Sequence, residues 1–270
     1  MRLMKYIKND LIRYIGLINY IFESGLIAHL ERIELKKNKI HDVLKYIGDR
    51  RAFLKLGGHI SHRYPIWSDY RKQAGSSSGD YFHQDLLVAS FIYENKPQKH
   101  IDVGSRIDGF VAHVAAFRKI QVLDIRPLSS LGHENIEFIQ ADLMSQDGLL
   151  PRADSISSLH AIEHFGLGRY GDPVDPDGYQ KGFSNLIDML ESGGTLYISF
   201  PIGRQNETHF NAHRVFHPRD ILQWRASKHL ELIRFDYIDD SGNLHRDIDL
   251  LKKKIDVSLG CGIYTFKKLT

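Results

Sequence analysis

The chain has 270 residues, of which 42% are hydrophobic and 26% charged, so it is long and apolar enough for one large α/β domain with a smaller appendage, and its composition excludes a disordered chain. A single cysteine, Cys261, excludes a disulfide within the chain and is typical of a cytoplasmic protein. The net charge of +3 is uneven, because residues 1–75 hold 15 Lys and Arg against 7 Asp and Glu, while residues 76–270 hold 21 against 26.

The first predicted element is an amphipathic helix, whose apolar side chains recur at helical spacing: Leu3, Ile7, Leu11, Tyr14, Ile18 and Ile21. The apolar run 14–22 is too short to span a membrane, and no signal-peptide cleavage site follows it. We expect this basic helix to pack on the core or on a second copy of the chain, with peripheral contact to a membrane as the alternative. A solvated helix face is the plainer interpretation of its charge, and the absence of a nucleic-acid motif argues against that partner.

A second helix is predicted at 40–56, where Gly57 and Gly58 end it. The run 74–79 is a loop rich in Gly and Ser, and a helix over 81–94 with one apolar face follows. These patterns divide the chain into a helical N-terminal extension with its loop, residues 1–79, and a domain over residues 80–270.

From residue 99 onward, predicted strands alternate with predicted helices, which favours an α/β fold with a mostly parallel, seven-stranded sheet and helices on both faces. The strands are expected near 100–103, 120–124, 136–139, 155–159, 194–200, 230–238 and 261–267, and the helices near 109–118, 178–191 and 217–227.

Three acids follow or end the first three strands of this sheet: Asp102, Asp124 and Asp142. Ligands of open α/β sheets bind at the carboxyl ends of the strands, and a glycine at position 104 allows close approach of the backbone. Asp124 can accept from both ribose hydroxyls of a nucleotide, and Asp142 from an adenine amine. Arg106 replaces the second glycine of a dinucleotide fingerprint, which argues against a bound pyrophosphate. The alternative is that Asp102 and Asp142 cap turns.

These residues carry a family resemblance. The runs 102–105, 141–143 and 157–164, together with Asp124, resemble successive motifs of class I S-adenosylmethionine-dependent methyltransferases over roughly residues 80–267. The resemblance implies a seven-stranded sheet with an antiparallel final strand, S-adenosylmethionine as methyl donor, S-adenosylhomocysteine as product, and in-line transfer. It places Asp102, Gly104, Ser105 and Arg106 beside the methionine part, Asp124 and Ile125 at the ribose, Asp142 and Leu143 at the adenine, and His160 nearest the methyl group.

A narrower resemblance extends through the runs 81–85, 124–128, 166–172 and 210–214. It is to a bacterial group of methyltransferase-like proteins of unassigned function, often encoded among surface-polysaccharide genes. This resemblance implies a glycan or nucleotide-linked precursor as the substrate.

Two loops at strand ends are the candidate substrate sites. In loop 163–178, Arg169 offers a cation, Tyr170 a stacking ring and Asp172 a base. A structured loop that faces water is the alternative. Asp172, Asp175 and Asp177 lack the spacing of a calcium loop, and the histidines lack that of a zinc site, so no metal is predicted.

In loop 201–214, Arg204 and Arg214 are candidates for holding a phosphate or carboxylate, with Asn211 beside them. His160 and His213 are the rival general bases, because an imidazole titrates near working pH. The alternative is that Asn211 and His213 pin the loop to itself.

Together these patterns predict a methyltransferase that acts on a small polar acceptor, and O-methylation of a sugar or glycan precursor is the expected reaction. One rival is an NAD(P)-dependent oxidoreductase, and the other is a catalytically degenerate binding protein of the same fold.

Overall fold

Two compact units, residues 1–75 and 76–270, make up the chain. The computed structural model describes residues 30–270, apart from 130–131 and 146–149. The amphipathic helix predicted from Leu3 to Ile21 therefore lies outside the described residues. In the first unit, helix α1 (Leu30–Lys55) begins ten residues earlier than predicted. None of the helices in the described part combines the length and the apolar character that crossing a bilayer requires.

The first unit is tied together by contacts between α1 and the residues that follow it. Asp42, on α1, is buried and accepts a hydrogen bond from Arg71 in the 3-10 turn Ser68–Arg71. The rings of Tyr46 and Trp67 meet edge to face, with centroids 5.8 Å apart.

The described residues of the second unit form ten strands: β1 (His100–Val103), β2 (Ile120–Asp124), β3 (Ile136–Gln140), β4 (Ala153–Leu159), β5 (Leu190–Ile202), β6 (Glu207–His209), β7 (His213–Val215), β8 (Leu230–Ile238), β9 (Leu244–His245) and β10 (Gly260–Lys268). Eight of them form a mixed sheet at the centre of this unit, in the order β3-β2-β1-β4-β5-β10-β8-β9. The five strands from β3 to β5 are parallel, and β10 is antiparallel to both of its neighbours. The other two strands, β6 and β7, form a hairpin that follows β5.

All seven predicted strands are present, and the last of them, β10, is antiparallel to both of its neighbours, as the resemblance implies. The predicted count of seven is not confirmed, because β9, only two residues long, pairs with β8 at the edge of the sheet. The order of the strands reverses between β1 and β4, since the chain runs outward from β1 to β3 before it returns to β4. In open α/β sheets such a reversal opens a ligand crevice beyond the strand ends.

Three α-helices follow in the second unit: α2 (Asp80–Asn95), α3 (Ala112–Ala115) and α4 (Gly178–Met189). α3 is shorter than the predicted helix 109–118, because Gly109 has non-helical dihedral angles inside a π-helical turn, Ile107–Val111, that precedes it.

The prediction of a continuous helix at 217–227 is wrong. Two 3-10 helices stand there, Asp220–Gln223 and Arg225–His229, and Trp224 between them is extended. The Trp224 ring packs against several aromatic side chains while its Nε1 donates to Asp220, 2.8 Å away. Its aromatic neighbours are Tyr179, Phe183, Phe200 and Phe216. This burial favours a break in the helix over continuous helical hydrogen bonding.

Apolar side chains cover both faces of the sheet, as expected for buried parallel strands. A polar exception lies between β1 and β4. His100 is buried, and its Nδ1 and Nε2 lie 2.8 and 3.1 Å from the hydroxyls of Ser155 and Ser157. Burial, together with the charge of Arg118, lowers the pKa of His100 to about 3. The imidazole is therefore neutral in the folded protein.

Candidate active site

A cavity of about 670 Å³ lies beyond the carboxyl ends of the parallel strands, and a smaller one of about 50 Å³ adjoins it. Both are lined by residues from four successive segments of the fold, namely the turn after β1, the end of β2, the turn after β4 and the loop that follows. The shared residues are Gly104, Asp124, Arg126, His160, His164 and Tyr170. The cavities occupy the crevice that the reversal of strand order predicts.

The turn after β1 is built so that its backbone borders the cavity. Gly104 has a φ of +74°, and a Cβ there would stand 2.8 Å from the Cβ of Ala161. Glycine alone adopts this conformation without strain, and it leaves the space above the turn open.

Asp102 and Ser105 brace this turn from within. The buried Asp102 carboxylate accepts from the Ser105 backbone N–H at 3.0 Å and from the hydroxyls of Ser105 and Ser157 at 2.7 and 2.6 Å. Burial raises the pKa of Asp102 to about 6, against the effect of these hydrogen bonds. The polar atoms of these two side chains therefore hold the turn, while Ser105 also lines the large cavity, and their cofactor contacts stay predictions.

At the end of β2, Asp124 forms a two-pronged ion pair with Arg126. Its Oδ1 accepts from the backbone N–H and Nε of Arg126 at 2.8 and 2.9 Å, and its Oδ2 accepts from Nη2 at 2.5 Å. The pair raises the pKa of the Arg126 guanidinium, which also lies 4.5 Å from the centroid of the Tyr170 ring. Arg126 was not among the predicted site residues, because nothing in the sequence indicates that it partners the acid two positions earlier.

The smaller cavity lies between the ends of β2 and β3, where Ile125, Asp142 and Leu143 line it together with Met144. Leu143 is buried, and Oδ1 of Asp142 accepts from the Met144 backbone N–H at 2.8 Å. Asp142 therefore caps its turn, as the alternative interpretation held, and it also borders the cavity.

His160, after β4, is held at both ring nitrogens. Nδ1 lies 3.0 Å from Oε1 of Glu163, and Nε2 lies 3.3 Å from Sγ of Cys261. Burial works against a charged ring, but the Cys261 and Glu163 contacts outweigh it and raise the pKa of His160 above its ordinary value. A ring whose two nitrogens are both engaged is poorly placed to accept a proton from substrate, which argues against the predicted role of His160 as base.

The series Cys261, His160 and Glu163 has the order of a nucleophile, a base and an orienting acid. The Cys261 side chain is nevertheless fully buried on β10, and burial raises the pKa of its thiol despite the nearby ring. Since only an accessible thiolate is a nucleophile, Cys261 acts here as a partner that fixes His160.

His213, at the start of β7, lines the large cavity beside His164, whose ring centroid is 6.5 Å away. Among the residues that the structure describes, its buried Nε2 has no hydrogen-bond partner. Burial and then the charge of His209 lower the pKa of His213. The ring is therefore neutral near pH 7 and retains an uncommitted nitrogen, so of the two predicted bases the geometry favours this one.

The contacts of Asp172 argue against its predicted role as a catalytic base. Its buried carboxylate accepts from three backbone N–H groups, those of Gly166, Gly168 and Tyr170, at 2.9, 3.1 and 3.1 Å. A carboxylate committed to three donors organises its loop and has little capacity to act as a base toward a substrate.

Arg169 and Tyr170 are brought to the large cavity by that loop. Nη1 of Arg169 donates to the carbonyl of Ala212 at 2.8 Å, and the guanidinium lies 5.2 Å from the centroid of the Tyr170 ring. Both predicted substrate residues therefore line the site.

Besides Asp172, which lines only the smaller cavity, three predicted substrate residues do not line the large cavity. Arg214 is buried and donates to the carbonyls of Phe165 and Pro176 at 2.7 and 3.1 Å, so it joins the loops. Arg204 is exposed and pairs with Asp256 at 2.8 Å beside another cavity. Asn211 is exposed in the turn between β6 and β7. The sequence places all three in the right loop, but their packing decides which side chains reach the site.

The start of α2 contributes residues that the sequence left out. Asp80 and Tyr81 line the large cavity, and the Tyr81 ring lies 5.2 Å from the His160 ring. Arg106 lies over the same Tyr81 ring at 5.3 Å and pairs with Asp108 at 3.0 Å. The one available signal is the position of Tyr81 in the run 81–85, which carries part of the narrower resemblance.

A family model described as a Caenorhabditis protein of unknown function, DUF268, matches residues 137–254, which is less than half of the chain. No curated protein matches the sequence.

Solved methyltransferase structures resemble the chain at low sequence identity. The N-methyltransferase NodS of Bradyrhizobium japonicum WM9, in complex with S-adenosylhomocysteine, is 12% identical over 70% of this chain and 88% of its own, with a TM-score of 0.48. A didemethyltoxoflavin N1-methyltransferase of Burkholderia thailandensis is 14% identical over 92% of this chain and 93% of its own, also with a TM-score of 0.48. An O-methyltransferase of a Brevibacillus brevis polyketide synthase is 16% identical over 69% and 72%, with a TM-score of 0.48. What each of these proteins binds or methylates is a property of that protein.

Proposed function

We propose that this chain binds S-adenosylmethionine across the two adjoining cavities and transfers its methyl group to a small polar acceptor, a hydroxyl of a sugar or glycan precursor. The observation that carries the proposal is the position of Asp124. It lines both cavities, whereas Asp142 and Leu143 line only the smaller one, and Ser105 and Arg106 only the larger one. Adenine, ribose and methionine follow one another in the same order along the cofactor.

The donor and acceptor groups present fit that cofactor. Asp142 and Leu143 offer an acceptor and an apolar surface to adenine, and Asp124 offers two oxygens to the ribose hydroxyls. The open space above Gly104 suits the methionine part, for which Arg106 is the nearest cation in the turn. When bound, S-adenosylmethionine supplies an electrophilic methyl group on a sulfonium.

Attack by a hydroxyl requires alignment of the acceptor and removal of its proton. Alignment of the acceptor hydroxyl with the methyl group lowers the activation barrier substantially, since a fixed geometry replaces a chance encounter of the two reactants in solution. Tyr170 lines the cavity beside Arg126 and Arg169, and neutral His213 can take the proton. Glu163 keeps His160 in place beneath them without acting on the acceptor.

A glycan or nucleotide-linked acceptor is supported by the cationic side chains on the acceptor side and by the narrower resemblance of the sequence. Arg126 and Arg169 line the cavity close to Tyr170, and guanidinium groups are well suited to phosphate and carboxylate groups.

Parallel calorimetry of the full chain with S-adenosylhomocysteine and with NAD tests the cofactor. Binding of S-adenosylhomocysteine alone supports the proposal, whereas binding of NAD alone supports the oxidoreductase that the sequence leaves as a rival. Release of S-adenosylhomocysteine in the presence of phosphorylated and nucleotide-linked sugars then tests turnover. Cofactor binding without turnover on any acceptor of this class would favour a degenerate binding protein.

A further inference from the structure

Arg126 occupies the atoms that the cofactor needs. Both carboxylate oxygens of Asp124 are engaged by the Arg126 side chain, at 2.9 and 2.5 Å. A ribose held by Asp124 would use the same two oxygens for its hydroxyls. Oδ1 already accepts from two donors of Arg126 and Oδ2 from one, so ribose hydroxyls that use both oxygens compete with the Arg126 guanidinium for this carboxylate.

The charges around the cavity show what would follow from this competition. Arg106 is neutralised by Asp108 and Arg126 by Asp124. Arg169, by contrast, donates to the Ala212 carbonyl and lies 3.3 Å from His164 Nδ1, with no carboxylate within ion-pair distance among the described residues. Release of Arg126 would add a second uncompensated guanidinium to the same cavity.

Tyr170 links these two arginines, since its ring is 4.5 Å from the Arg126 guanidinium and 5.2 Å from that of Arg169. Stacking on an aromatic ring is favourable for guanidinium groups and does not depend on the Asp124 contact. The ring therefore keeps Arg126 at the cavity after its carboxylate partner is taken.

We propose, on the basis of the function proposed above, that the cofactor ribose displaces Arg126 from Asp124 and that the released guanidinium joins Arg169 at Tyr170 to bind an anionic group of the acceptor. The acceptor class is then a molecule with a phosphate or carboxylate close to the methylated hydroxyl. The anion site is completed only when the cofactor is bound, so the cofactor binds first. By linkage, each ligand strengthens the binding of the other by the same factor.

Calorimetry with S-adenosylhomocysteine on the wild-type chain and on R126A, R126K and R204A tests the displacement. R126A removes the competitor and should bind roughly two- to fivefold more tightly, the range expected for loss of a partly exposed ion pair. R126K retains a charge without the two-pronged geometry and should lie between R126A and wild type. R204A removes an arginine whose partner is Asp256 and should match wild type.

Weaker or unchanged binding by R126A would overturn the inference, because it would mean that Arg126 supports Asp124 instead of competing for it. Failure of every protein, including wild type, to bind S-adenosylhomocysteine would overturn the proposed function and this inference with it. The two failures are thus distinguishable.

The coupling is tested by titrating inorganic phosphate, and acetate in a parallel arm, into the wild-type chain with and without saturating S-adenosylhomocysteine. We expect the preferred anion to bind at least about threefold more tightly with the cofactor product present, which is the factor expected for release of one guanidinium. R169A should weaken anion binding without changing affinity for S-adenosylhomocysteine. In R126A, the affinity for the anion should no longer depend on whether S-adenosylhomocysteine is bound. The proposal would be contradicted if neither phosphate nor acetate bound more tightly with S-adenosylhomocysteine present than without it.

Discussion

Oε1 of the buried Glu163 lies 3.0 Å from Nδ1 of His160 and 3.6 Å from Nε2 of His164, so one carboxylate lies between two imidazole rings beside the cavity. Its other oxygen, Oε2, has no hydrogen-bond partner among the described residues. A carboxylate beside an imidazole favours the protonated ring, and this contact is one of the causes that raise the pKa of His160.

Glu163→Gln should lower the pKa of His160, because the amide keeps the shape of the side chain and removes its charge. A histidine with a raised pKa stabilises the fold below its unfolded value of about 6.5, and this stabilisation is lost as the pH rises through the folded value. The variant should therefore show less loss of stability above pH 6.5 than wild type. Ring-proton NMR titration measures the pKa directly.

Glu207→Gln is the matched control, since Glu207 pairs with the exposed His209 and not with His160. It should leave the titration of His160 unchanged. An unaltered His160 midpoint in Glu163→Gln would show that Glu163 does not set the charge of the ring.

Asp172→Ala should destabilise the fold by about 1–3 kcal/mol, because three backbone N–H groups lose their acceptor. Urea unfolding of this variant, with Asp177→Ala as an exposed control in the same loop, measures the effect. Unchanged stability combined with lost turnover would restore Asp172 to the role of a base.

His213→Gln should reduce turnover by a factor on the order of 10² while leaving affinity for S-adenosylhomocysteine unchanged, which is the lower range for loss of a general base. In wild type the rate should rise with pH through the lowered pKa of His213, and the variant should lack this limb. Steady-state rates across pH provide the comparison, and His229→Gln, at an exposed histidine of the 3-10 helix Arg225–His229, is the control. A wild-type pH limb retained in His213→Gln would reject the assignment.

His100 makes stability depend on pH. Its folded pKa is about 3 and its ordinary value 6.5, so the unfolded chain takes up a proton below pH 6.5 that the folded chain refuses. Stability is thus lost as the pH falls. Between pH 7 and 5 wild type should lose about 2 kcal/mol more than His100→Gln in urea unfolding.

The neighbouring Asp102, whose folded pKa is about 6, contributes with the opposite sign over part of this range, since the folded chain gains its proton first. Because both proteins contain Asp102, the difference between them isolates His100. An equal loss of stability in wild type and His100→Gln would show that folding does not lower the pKa of His100.

Much of the fold was predictable because buried parallel strands are short apolar runs between turn signals. The predicted bounds of the strands at 100–103, 120–124 and 230–238 agree with the structure. The break at Trp224 was not predictable, since its cause is a set of aromatic side chains far away in the sequence. The edge strand β9, two residues long, carries no pattern of its own.

The sequence indicated where site residues lie but not what their atoms do. It led to Asp124, Arg169, Tyr170 and His213, which line the cavity, because strand ends and the loops after them converge there. It could not separate Asp172, whose carboxylate is consumed by its own loop, from an accessible base. The partner of Arg126 likewise depends on a side-chain conformation that no spacing encodes.

Affinity for S-adenosylhomocysteine in Asp124→Ala is the most direct test of cofactor binding at the junction of the two cavities. Calorimetry should show binding weaker than wild type by about 1–3 kcal/mol, because two charged hydrogen bonds to ribose are lost. Asp256→Ala removes an acid that is likewise paired with an arginine, away from the cavity, and should bind as wild type does. Equal affinity of Asp124→Ala and wild type would contradict the assignment.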